Sequence, residues 1–196
     1  MTLIVAHRRN LVSEVSETPP DQGIEMDIRS YGDRLVVTHE PFDPGVDLES
    51  WLDAYRHAFL VANVKEEGLE QRVEAALSAR GIEAWSYLDQ SFPFLVRTLR
   101  RGESRCAVRV SEYESVQTAL ALSPRAQWVW LDSFTGALPS RAALADLATA
   151  GYRVMVVSPE LQGRDPQPEV EGIRRALQDA GLALDAVCTK RPALWA

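Results

Sequence analysis

Only three histidines occur in the 196-residue chain, and two of them, His7 and His39, stand just after short apolar runs. Imidazole titrates nearest neutrality of all side chains, so a facing pair can take one proton and deliver another. Between them lies Glu25-Met26-Asp27, itself inside an apolar run. If that run is a strand, positions two apart share a face and both carboxylates point the same way. Two close carboxylates repel unless a proton or a cation stands between them, and a hard divalent ion such as Mg²⁺ or Ca²⁺ meets that need. The competing arrangement salt-bridges one of them to an arginine and turns the other to solvent. Asn63 and Lys65 repeat the two-residue spacing around the end of another apolar run. A lysine there neutralises a phosphoryl oxygen as charge develops, or else merely opens the charged surface run Lys65-Glu66-Glu67. His57 precedes its apolar run and receives no role.

These groups need a scaffold that gathers strand ends, and the rest of the sequence supplies one. Leu3 to Ala6, Ile24 to Ile28, Leu35 to Thr38, Phe59 to Val64 and Ala84 to Tyr87 read as strands. So do Cys106 to Val110, Trp128 to Leu131, Val154 to Val157 and Leu184 to Cys188. All are short, rich in β-branched or aromatic residues, and bounded by charge, Gly or Pro. Helical faces fall between the later ones: Leu69, Val73 and Leu77; Leu95 and Leu99; Val116 and Leu120; Leu144 and Leu147; Val170, Ile173 and Leu177. Gly81, Gly102, Gly151 and Gly181 close four of these helices, each before a strand. That rhythm implies a parallel sheet with helices outside it. A doubly wound sheet would want a Gly-rich turn after the first strand, where this chain has His7-Arg8-Arg9-Asn10. The strand count favours closure. The expected fold is a compact α/β, TIM-like (β/α)8 barrel forming one domain over residues 1–196. Residues 10 to 22 and 40 to 50 are polar and proline-containing, so some early helices are expected to be missing or short. Asp89 and Asp132 also stand at strand ends.

Composition bounds the partners. A net charge of -7 and a pI near 5.1 argue against nucleic acid, which asks for a basic face. No apolar stretch reaches the roughly 18 residues of a membrane span. The run after Met1 is too short for a signal peptide, and its charges follow rather than precede it. Cys106 and Cys188 are expected as buried, reduced thiols. The expectation is a soluble cytoplasmic protein.

The order His7-Arg8, Glu25-x-Asp27, His39, Asn63-x-Lys65 and a closing Thr189-Lys190-Arg191-Pro192 resembles the glycerophosphodiester phosphodiesterase-like, or phospholipase-C-like phosphodiesterase, superfamily. The stretches ANVKEEGLE, RVSEYE, WVWLDSF and VSPELQGR are similar to those of a small divergent subgroup of it. The resemblance implies a metal-dependent phosphodiesterase on a TIM barrel. By resemblance, His7 and His39 become the catalytic acid and base, and Arg8 and Lys65 the phosphate clamp. Glu25, Asp27 and Asn63 become the ligands of Mg²⁺ or Ca²⁺. Three positions depart from the family pattern: Asn63 stands where a third acid is usual, Glu40 follows the second histidine in place of aspartate, and Lys190 replaces an aspartate in the closing motif. Asn63 ligates through oxygen but brings no charge, which favours an alternative: a weak or inactive barrel that binds a phosphorylated sugar, polyol or lipid headgroup. A Schiff-base role for Lys65 is disfavoured, because the surrounding carboxylates support the charged amine.

Overall fold

The structure, a computed structural model, describes residues 2–195. Among them ten strands and seven α-helices follow one another in an α/β arrangement whose strands pair mostly in parallel. The chain divides into two compact units, Ala6–Glu103 and Met1–Val5 with Ser104–Ala196. Strand β1 (Leu3–Ala6) ends where the first of these begins.

The Ala6–Glu103 unit contains α1 (Val12–Glu17), β2 (Gly23–Tyr31), β3 (Arg34–Val37), β4 (Val46–Asp47), α2 (Leu48–Ala54), β5 (Phe59–Val64), α3 (Glu70–Ser78), β6 (Trp85–Leu88) and α4 (Phe92–Arg100). Its strands run β4-β3-β2-β5-β6. Strand β2 pairs in parallel with β5, setting Glu25 beside Val61 and Asp27 beside Asn63. Strand β5 pairs in parallel with β6, setting Asn63 beside Leu88. Ile24, Met26, Ile28, Leu60, Ala62 and Tyr87 are fully buried. Strands covered on both faces read as continuous apolar runs, which is why β5 announced itself so clearly.

The irregular front of the chain contains short elements. Helix α1 spans six residues, with the Glu14 carboxylate accepting from the Leu11 N–H at 2.9 Å. Helix α2 has an Asp47 cap that accepts from the Glu49 N–H at 3.1 Å, and it buries Leu48, Trp51 and Leu52. Strand β3 is antiparallel to β2, and β4 is antiparallel to β3. The β2–β3 pair is thus a hairpin, turning at Gly32 with φ +60°.

In the second unit β1 lies beside β10 (Ala186–Thr189), then come β9 (Arg153–Val157), β8 (Trp128–Leu131) and β7 (Ala107–Val110). Strands β7 to β10 pair in parallel. Helices α5 (Val116–Leu122), α6 (Arg141–Thr149) and α7 (Val170–Asp179) connect them. The fold class and the nine strands expected from the sequence are present; the short β4 was not expected.

Gly45 holds the loop that leads into β4. Its φ is +51°, and a Cβ there would lie 2.9 Å from the Val37 carbonyl oxygen. Gly32 has a similar φ of +60° but open space around it. Both alanine variants carry the left-handed strain, so their difference isolates the clash. Gly45→Ala is expected to lower unfolding free energy by about 2–4 kcal/mol and Gly32→Ala by about 1 kcal/mol, read from urea midpoints.

Candidate active site

Glu25 and Asp27 share one face of β2 and are 1% and 0% exposed. Both are therefore buried, and neither turns to solvent. The segment after β1 closes over them. Arg8 has φ +50°, an uncommon conformation for a side-chain-bearing residue. It aims its backbone N–H at Glu25 Oε2, 2.6 Å away, while its Nε lies 3.3 Å from Asp27 Oδ2. His7 Nε2 is 3.9 Å from the same Glu25 oxygen. Asn10 grips Asp27 twice, donating from its amide to Oδ2 at 2.9 Å and accepting from the Asp27 N–H at 3.0 Å. The Trp51 indole N–H, from α2, donates to the Arg9 carbonyl at 2.9 Å and ties this segment down.

From β5, the Asn63 amide donates to Glu25 Oε1 at 2.8 Å. Lys65 Nζ lies 3.3 Å from Asp27 Oδ1, as an ion pair without hydrogen-bond alignment, and 3.4 Å from Asp89 Oδ2. An ammonium shared by two carboxylates suits an electrostatic clamp. Asp89 itself has φ +56°, so two of the three left-handed non-glycine residues among the described residues border this cluster.

His39 arrives by an unexpected route. Strand β2 runs past the end of β5, where the Lys65 N–H donates to the Ile28 carbonyl at 3.0 Å. The hairpin then doubles back, and the Thr38 N–H donates to the Asp27 carbonyl at 3.0 Å. His39 thus comes level with the carboxylates at the end of an antiparallel strand, not a parallel one. Arg29 braces it by donating from Nε to the His39 carbonyl at 2.9 Å, and pairs with Glu66 at 3.6 Å. Glu66 also accepts from the Ser30 N–H and hydroxyl, at 3.2 and 2.6 Å. The His39 ring pairs through Nδ1 with Glu40 at 2.7 Å.

Burial first, then repulsion from Asp27, pushes Glu25 from its ordinary 4.5 up to about 7. The Asn63 amide, the Arg8 N–H and Lys65 pull the other way. Asn63 Oδ1 is buried and accepts no hydrogen bond from the described residues. An orphaned amide oxygen beside two buried carboxylates is an all-oxygen donor set, the kind hard divalent cations take. Glu25, Asp27 and Asn63 therefore fit such an ion in chemistry, with two negative charges rather than three. No cluster of three His, Cys, Asp or Glu side chains suited to a metal occurs among the described residues.

The Met1–Val5 with Ser104–Ala196 unit has a polar cluster of its own. Asp132 pairs closely with Arg109 and accepts from Gln162 at 2.9 and 3.0 Å. Glu160 accepts from Thr189 at 2.6 Å and from the Lys190 N–H at 2.9 Å. Asp132 is thus committed to Arg109, whereas Asp89 joins Lys65 beside Asp27.

No family model and no curated relative matches the sequence. Solved structures do match. The chain is similar to a glycerophosphodiester phosphodiesterase from Agrobacterium tumefaciens str. C58, with a TM-score of 0.69 and 17% identity over 100% of this chain and 97% of that one. It is also similar to a glycerophosphoryl diester phosphodiesterase from Parabacteroides distasonis ATCC 8503, with a TM-score of 0.65 and 13% identity over 98% and 84% of the two chains. The chain has the glycerophosphodiester phosphodiesterase fold. At these identities the likeness lies in the backbone, and residue roles in this phosphodiesterase fold must come from the site itself.

All seven residues singled out in the sequence lie in the Ala6–Glu103 unit. Six of them, His7, Arg8, Glu25, Asp27, Asn63 and Lys65, are directly linked. His39 is tied to that group through the backbone of Thr38. Sequence reasoning missed Asn10, Trp51 and Glu66. For Trp51 a signal existed, since Leu48, Trp51, Leu52 and Tyr55 follow a helical period behind the Asp47 cap.

The raised Glu25 value has a consequence for stability. The folded protein keeps this proton between about 4.5 and about 7, a window in which the unfolded chain has released it. The associated stability is complete below that window and is lost as pH rises through it. Glu25→Gln cannot ionise, so it should gain on wild type as pH rises from about 5 to about 8, by an amount on the order of 2–3 kcal/mol. Urea midpoints of both proteins against pH test this, and parallel curves would contradict it.

Proposed function

We propose that the protein is a phosphodiesterase-like hydrolase that cleaves a phosphodiester of a small molecule by acid–base catalysis with His7 and His39. The observation that carries this reading is the buried Glu25–Asp27 pair, with an imidazole and a guanidinium on it, in a chain with this fold. Arg8 and Lys65 would bind the phosphate: each already lies against a carboxylate oxygen and adds positive charge where negative charge develops. His7, beside Glu25, would take the proton of the attacking hydroxyl or return it. His39 would serve the opposite oxygen. Its Nδ1 is occupied by Glu40, so Nε2 is the nitrogen that exchanges a proton with substrate. Asn10 holds Asp27, and thereby Arg8, in place. Glu25, Asp27 and Asn63 would hold Mg²⁺ or Ca²⁺, which when bound supplies Lewis-acid polarisation of a phosphoryl oxygen.

Asn63 favours a second reading, a binding protein of this fold with little or no turnover. Calorimetry separates the two. Divalent-ion binding together with phosphodiester turnover supports the hydrolase; phosphate-ligand binding without turnover, and without any divalent ion at millimolar levels, supports the binder.

His7→Ala and His39→Ala are each expected to lower kcat on a chromogenic phosphodiester by about 10²–10⁴-fold while leaving the urea midpoint near wild type. Near-wild-type turnover in either variant would remove that histidine from the mechanism.

A further inference from the structure

A cavity lies at the other end of the strands that carry part of this site. Strands β5 and β6 are parallel, so their carboxyl ends deliver Asn63, Lys65 and Asp89 together, and their amino ends lie together opposite. At that amino end a cavity of about 430 Å³ is lined by six residues. Leu52, Asp53, Tyr55 and Arg56 lead into β5, while Arg80 and Ile82 lead into β6. A cavity of that volume takes a small organic molecule.

Its walls are fixed by bonds of their own. Arg80 pairs with Glu49 and, at 2.8 Å, with Asp53, and it donates to the Glu49 carbonyl at 3.1 Å. These bonds hold the segment before β6 against α2. Tyr55 stacks on Trp51 with ring centroids 5.9 Å apart and meets the His57 ring at 5.4 Å. Leu52 is buried beneath them.

Two polar groups in this wall lack a matching partner. The Arg56 guanidinium donates from Nη1 to the Tyr55 carbonyl at 2.6 Å, which folds it back along the wall. It pairs with no carboxylate among the described residues. Tyr55 is 6% exposed, and its buried hydroxyl has no hydrogen-bond partner among the described residues. Buried hydroxyls ordinarily have one. Burial also pushes this phenol well above its ordinary value, so it remains a donor at neutral pH.

Charge then selects the ligand. Arg80 is engaged by Glu49 and Asp53, so only the Arg56 guanidinium is available to an anion. Its planar fork suits a carboxylate, which accepts two N–H donors side by side. A phosphate monoester would bring a second negative charge to face Asp53, a like charge without a counterpart. Leu52, Ile82 and the Tyr55 ring offer apolar surface to the rest of the molecule.

We propose that this cavity binds a small monocarboxylate with an apolar body. The carboxylate meets Arg56 and the Tyr55 hydroxyl, and the hydrocarbon lies on Leu52 and Ile82. None of these residues belongs to the strand-end cluster, so the proposal does not depend on the phosphodiesterase reading.

Titration with sodium hexanoate at about pH 7, where the acid is ionised, tests it through the methyl NMR signals of Leu52 and Ile82. Wild type should bind with a Kd on the order of 0.1–1 mM and shift both sets of methyls. Hexanol, which has the hydrocarbon but no charge, should bind at least about tenfold more weakly, and inorganic phosphate should shift neither residue. Arg56→Gln should lose about tenfold in affinity, and Ile82→Asp, followed at Leu52, at least as much. Tyr55→Phe should bind about threefold more weakly while melting at or above the wild-type temperature, since it removes a buried hydroxyl without a partner. Hexanoate that shifts the Asn10 and Asn63 side-chain amides instead of these methyls would overturn the proposal. So would Arg56→Gln or Tyr55→Phe that binds as tightly as wild type, or phosphate that shifts the same methyls.

Discussion

Two carboxylates buried two residues apart on one strand are the constraint around which the Ala6–Glu103 unit is organised. Left alone in a low-dielectric interior, Glu25 and Asp27 would repel each other and both would resist ionisation. The surrounding chain answers with donors and cations from separate segments: the Arg8 N–H and guanidinium, the Asn10 and Asn63 amides, and the Lys65 ammonium. Glu25 still keeps a raised proton affinity. The compensation is therefore incomplete.

The hairpin of β2 and β3 solves a positioning problem. A parallel strand can deliver a side chain to the rim only where it stops. By overrunning β5 and folding back, the chain brings a second segment down to the level of Asp27 and attaches it through the Thr38 N–H. Arg29 and Glu66 brace the overrun, which would otherwise leave polar backbone without partners. The histidine at its end inherits a defined backbone position from these bonds.

Much of this was legible in the sequence, for identifiable reasons. Strands such as Phe59–Val64 and Trp128–Leu131 are continuous apolar runs, and glycines mark the ends of later helices. Glu25 and Asp27 share a face because side chains alternate along any strand. His39 was singled out on a mistaken premise, since strand ends were counted as though all strands were parallel. Pairing direction depends on the turn at Gly32, and Tyr31-Gly32-Asp33 lies in a stretch whose apolar pattern reads alike either way. Asn10 carries no local signal at all, because its partner is seventeen residues distant and an asparagine after a strand is an ordinary loop residue. Helix α2 was overlooked beside the polar, proline-containing segment that precedes it, although its apolar spacing was present.

Asp27 is pinned through its main chain as well as its carboxylate: its N–H meets Asn10 and its carbonyl meets Thr38. The same residue thus staples three stretches of polypeptide together. Selection for folding alone would preserve it in a lineage that had abandoned turnover. His7 and His39, proposed for proton transfer, would lose that reason to persist. Among descendants of this fold, a surviving Glu-x-Asp therefore testifies to ancestry and architecture, while survival of the two histidines is the better witness to chemistry.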